Sequence, residues 1–241
     1  MQSNFYVGLS AQISLQRRLE TIANNVANAS TAGFRAEEVK FETVLSRVSP
    51  DLVSYASAGK PYLSRRSGEF VRTDNLFDVA VQGDAWLAVQ TPSGTVYTRD
   101  GRMRMTETGE LLTLNNQPVL DAGGAAIRLE PNAGPPRIGR DGTITQANRQ
   151  IGALGLFKID DRAELQRVEG SGVVPDRPAT PVLDFATTAV HQGYIERANV
   201  NPVLEMTKLI MVQHAFEAVT ASLKDSDSSL QEAIRTLGAT S

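Results

Sequence analysis

Leu209, Val212, Phe216, Val219, Leu223, Ser226, Leu230, Ala233 and Leu237 follow one another at alternating steps of three and four residues. Four heptads in one register demand an α-helix with a single apolar seam, because only a helical period brings such positions to one face. The boundaries agree. Asn201 stands where an N-cap belongs, Pro202 fills the first helical position, and Gly238 occupies the place of a C′ glycine. A shorter seam of Leu15, Leu19, Ile22 and Val26 predicts another helix from Phe5 to Asn28, about 36 Å long. A lone helix with so narrow an apolar stripe is marginal in water. Both helices therefore need partners, either each other or copies from other chains.

From Asp78 to about Asp184 the period changes. Short β-type runs, FDVAVQGDAWLAVQ, GTVYTRDGRMRM, ELLTLNNQPVL and IGALGLFKI among them, are separated by turn signals such as Ser93-Gly94, Asn115-Asn116 and Asp141-Gly142. Ser46 to Ser67 shows no period and reads as an extended connector. Gly170 to Pro181, rich in Gly and Pro, reads as a second one. The expected fold is α+β, with long terminal helices forming a coiled-coil assembly region around a central all-β domain. The expected division is a helix and its exit at 1–35, a connector at 36–77, the β domain at 78–190 and the C-terminal helix region at 191–241.

An enzyme needs reactive groups that converge, and few are present. His191 and His214 are the only histidines, and neither HExxH nor GxSxG occurs. Asp225 and Asp227 resemble the start of a calcium loop, but the required glycine and closing glutamate are missing. No cysteine is available for a disulfide, a thiolate or a metal. No catalytic residue, metal or cofactor is expected. A net charge of −3 gives no reason to expect nucleic acid as a partner. The N-terminus lacks the pattern of a Sec signal, and no window approaches the roughly 18 apolar residues of a membrane span, so direct membrane insertion is not expected.

One stretch remains unexplained by these terms. NNVANASTAGFR, Asn24 to Arg35, ends the first helix in small polar residues followed by Gly-Phe. With Ile22 and Ala23 before it, it resembles the N-terminal signature of bacterial flagellar axial proteins, the rod and hook family. GYIERANVNPVLEMTKLIMVQHAFEAVTASLKDSDSSLQ, Gly193 to Gln231, is similar to that family's C-terminal signature. SGEFVRTDNLFDVAVQGDAWLAV and YTRDGRMRMTETGELLT resemble the opening of its β domain. Within the family, the short connector from Ser46 to Ser67 and Trp86 in DAWLAVQ point toward a proximal rod subunit, with a distal rod or other axial subunit as the alternative.

The resemblance implies a building block rather than a catalyst. Such a chain is exported by the flagellar type III apparatus without a cleaved signal. It assembles with proximal and distal rod proteins and with copies of itself into the tubular rod that crosses the periplasm and carries torque to the hook. Subunit-interface residues are then expected at Leu15, Leu19, Ile22, Asn24, Asn25, Val26, Asn28, Gly33 and Phe34. On the C-terminal side they are Asn199, Asn201, Leu209, Val212, Phe216, Val219, Leu223, Leu230 and Leu237. Asn24, Asn25 and Asn28 would bond backbone or neighbouring helices, Gly33 would permit a turn, and Phe34 would anchor the outgoing chain. Gly33→Val should then harm assembly more than the stability of the β domain. Two rivals stand beside this reading: a soluble adaptor whose terminal helices pair within one chain, and a peptidoglycan hydrolase.

Overall fold

A computed structural model describes residues 2–40, 43–46, 53–56 and 59–238. Helix α1 runs Gln2–Ala27 and helix α2 runs Pro202–Gly238, with nineteen short strands among the described residues between them, so the fold is α+β. The chain divides into two compact units. One holds residues 1–27, 37–62 and 201–241; the other holds 28–36 and 63–200.

In the first unit α1 and α2 pack antiparallel. A Cβ on Gly8 would come within 2.6 Å of Leu223, Gln12 Nε2 donates to Thr220 Oγ1 at 3.4 Å, and Asn25 Nδ2 to Glu205 Oε2 at 3.4 Å. The sum of paired residue numbers is nearly constant, as it must be when two rods run in opposite directions. The absent side chain at Gly8 lets the helices approach there. Asn201 caps α2 as its position predicts, its Oδ1 accepting from the amides of Val203 and Leu204, both at 3.1 Å. The strands Thr43–Ser46 and Val53–Ala56 pair antiparallel, and Glu37–Lys40 pairs with Lys60–Leu63. The expected connector at 46–67 therefore carries strands, although its residues 47–52 and 57–58 lie outside the described ones.

The second unit is built on a six-stranded antiparallel sheet. Its order is Leu165–Val168, Gly172–Pro175, Gly94–Thr98, Ala85–Thr91, Leu156–Lys158, Thr180–Pro181. Alternate side chains of Ala85–Thr91 feed two sides of that sheet. Ala85, Leu87 and Val89 join the main core with Val79, Val81, Leu111, Ile144, Leu156 and Val190, while Trp86 and Ala88 enter smaller clusters behind. A strand covered on both faces reads as a continuous apolar run, which AWLAV is. The stretch 170–181 is not a connector. It supplies two strands of this sheet, with Gly170 at φ 62° in the turn that precedes the first and Val173 fully buried. Ala189–Gln192 pairs with Val79–Gln82, and Tyr194–Glu196 pairs with Phe70–Arg72, the two linked through Gly193 at φ 79°.

Candidate functional site

The sequence signatures of the second unit meet at one buried carboxylate. Glu196 ends the strand Tyr194–Glu196 and is only 1% exposed. Its Oε1 accepts from the Gly68 amide at 2.8 Å and from Arg35 Nη2 at 2.9 Å, while its Oε2 accepts from Arg99 Nε at 2.8 Å. The Arg99 guanidinium also donates to the carbonyls of Gly83 at 2.9 Å, of Val81 at 2.6 Å and of Ala85, fastening the turn between two core strands. Arg35 is less well served. Its Nε and Nη1 are buried with no hydrogen-bond partner. Both guanidiniums stand over the ring of Trp86, 5.7 and 5.9 Å from its centroid. Burial pulls the Arg35 pKa down to about 10; the Glu196 charge opposes that shift and the neighbouring Arg99 adds to it. The carboxylate is filled by donors and sealed from solvent, an arrangement that fastens chain segments rather than presenting a charge to a ligand.

The backbone around the carboxylate is tied as firmly. The Gly33 amide donates to the Glu196 carbonyl at 2.7 Å and the Asn199 amide to the Phe34 carbonyl at 3.2 Å. Asn199 Oδ1 accepts from the Ala36 amide at 2.6 Å, and its Nδ2 donates to the Arg66 carbonyl at 2.8 Å. Phe34 is buried, with the Arg167 guanidinium 4.1 Å above its ring centroid and the same guanidinium donating to the Arg35 carbonyl. Residues 33–36, 66–68 and 196–199 are thus laced side by side.

Gly33, Phe34 and Asn199 all lie in this lacing. Asn28 closes the turn ahead of it, its carbonyl accepting from the Thr31 amide at 3.0 Å. In the helical unit, Ile22 and Asn25 of α1 are buried, and Leu15, Leu19, Asn24 and Val26 are half-buried. Asn25 imitates a strand neighbour: its Nδ2 donates to the Glu37 carbonyl at 2.8 Å and its Oδ1 accepts from the Glu37 amide at 2.9 Å. On α2, Val212 is buried and Leu209, Phe216, Val219 and Leu223 are half-buried, together forming the side of the helix that meets α1. The side chains of Leu230 and Leu237 lie outside the described ones.

Two features lay outside the expected set. Arg35, Arg99 and Glu196 were all present in the quoted motifs, but as charges that composition alone assigns to the surface. The second is an apolar face at the start of α2. Val203, Leu204, Met206, Ile210 and Met211 are each at least half exposed, although they flank the seam in sequence.

Three family descriptions match the chain. Residues 5–35 match the flagella basal body rod protein family, 80–146 the flagellar hook protein FlgE/F/G D1 domain, and 191–236 the flagellar basal body rod FlgEFG protein C-terminal region. The chain is 53% identical to the flagellar basal-body rod protein FlgF of Mesorhizobium japonicum over the whole of both chains. It is 48% identical to the FlgF of Rhizobium meliloti over 99% of each. Against the flagellar basal-body rod protein FlgG of Bacillus subtilis the identity falls to 28%, over 97% of this chain and 98% of that one. The chain belongs to the flagellar basal-body rod protein family, in which it resembles FlgF over its full length.

Proposed function

We propose that the chain is a structural subunit of the proximal part of the flagellar rod, passed through the flagellar type III apparatus and built into the shaft that crosses the periplasm and carries torque to the hook. The observation that carries the assembly reading is the apolar face of Val203, Leu204, Met206, Ile210 and Met211. The seam from Leu209 to Leu223 is turned toward α1 within the chain, and this face is left exposed. Exposed Ile, Val, Leu and Met side chains on consecutive helical turns are costly for a lone soluble molecule and ordinary for one that ends between neighbours. Packing of that face on the helices of other rod subunits gives the coiled-coil wall of the tube, and contacts between unlike faces build a helical tube because they do not close on themselves.

The test is Ile210→Glu. A charge on an exposed helical position changes the stability of the monomer by only about 0.5 kcal/mol, so its thermal melt should match that of the unsubstituted chain. Cells carrying it should be non-motile, and their purified basal bodies should lack the subunit. Normal motility with Ile210→Glu sinks the assignment of this face to assembly.

A further inference from the structure

Every buried apolar side chain of the main core lies from Val79 to Val190. Apolar burial by itself would therefore let the β unit close before residues 191–200 join it. Charge opposes this. Arg35 and Arg99 are 3% and 1% exposed, both pair with Glu196, and Glu196 comes in the last few residues of the unit. Closing the core around Trp86 without that carboxylate would bury two adjacent guanidiniums with no carboxylate bonded to either, the exposed Asp84 acting on Arg35 only through space, a cost comparable to the whole stability of a domain. Arg99 would still hold three backbone carbonyls, but Glu196 is the one hydrogen-bond partner that Arg35 has for its side chain among the described residues.

We propose that Glu196 is the closing key of the β unit: an incomplete chain that already carries the entire apolar core is held open by its own arginines, and folds only when the C-terminal strand delivers the carboxylate. A chain that emerges N-terminal end first is thereby kept pliable until nearly all of it is out. The device is electrostatic and works through the order of events, so it is visible in rates.

Trp86 is the only tryptophan in the chain, is buried and stands within 6 Å of both guanidiniums, so its fluorescence reports closure directly. Refolding and unfolding of the full chain after denaturant jumps are to be followed for the unsubstituted protein, for Glu196→Gln and for the pair Arg35→Met with Glu196→Gln. If the carboxylate must be in place before the core closes, Glu196→Gln slows refolding at least tenfold and changes unfolding much less. Removing the Arg35 charge as well restores most of the lost rate. The proposal is overturned if Glu196→Gln refolds at the original rate and only unfolds faster, for the carboxylate then arrives after closure. Should Glu196→Gln not fold at all, recovery of folding in the double variant upholds the proposal. Failure of the double variant overturns it.

Discussion

Gly33→Val should lower the stability of the β unit by about 4 kcal/mol, summing the strain of a left-handed backbone on a branched residue and the displacement of packed neighbours. Gly33 sits at φ 68°, where a β-branched side chain is a genuine outlier. A Cβ there would lie 2.2 Å from the Asp100 amide nitrogen and 2.4 Å from the Arg99 carbonyl carbon. Both are backbone atoms, and Arg99 is pinned by its bonds to Glu196 and three carbonyls, so neither neighbour can give way cheaply. The sequence suggested a joint whose glycine matters chiefly for assembly. The close approach to Arg99 and Asp100 replaces that expectation with a folding defect. Urea unfolding read at Trp86 measures it, and a loss below about 1 kcal/mol would mean that the backbone relaxes around the new side chain.

Glu196→Leu should cost as much or more. Replacing one member of a buried ion pair leaves an uncompensated charge and typically costs 3–5 kcal/mol, and here one carboxylate serves two guanidiniums and the Gly68 amide. Against a typical total of about 5–15 kcal/mol, that is enough to leave much of the chain unfolded at 37 °C. The partner substitution separates charge from packing. Changing Arg35 to Met together with Glu196→Leu removes the less satisfied cation and should recover part of the loss, since an apolar replacement of a whole buried pair is often tolerated. The Arg99 charge and its three carbonyl bonds remain, so recovery is incomplete. Equal losses in the single and double variants would show that the Arg35 charge is not the source of the penalty.

The long helices were the most legible part of the chain, because a three-four spacing sustained from Leu209 to Leu237 admits few other structures. The Asn201 cap followed from residue type alone. Strands in the middle were legible wherever a turn pair bracketed an apolar run, as Asn115-Asn116 does, with Asn116 at φ 62°. The stretch 170–181 was not, because its glycines and prolines mark turns and edges as readily as linkers, and only the sheet that receives Val173 decides between them. The seam itself could be read, but what it faces could not. At the start of α2 apolar residues surround much of the helix, so choosing the heptad stripe hides Val203, Ile210 and Met211, which are the ones left uncovered.

The carboxylate hub was hidden for a different reason. Arg35, Arg99 and Glu196 are separated by more than sixty residues at each step and belong to classes that usually stay in water. Nothing local marks them as buried. What the signatures around them encode, with Gly33, Gly68 and Asn199 each filling a place by the hub, is the set of small or amide-bearing residues that allows three distant segments to close on one side chain.

The absence of cysteine from the sequence makes the assembly role of α2 directly measurable. Ile210→Cys introduces a single thiol on the apolar face, to be labelled with a maleimide in the free monomer and in purified basal bodies. Labelling of the monomer should be rapid, and labelling in the assembled rod at least tenfold slower. Equal labelling in both would show that the face stays in solvent after assembly, and would contradict the assignment.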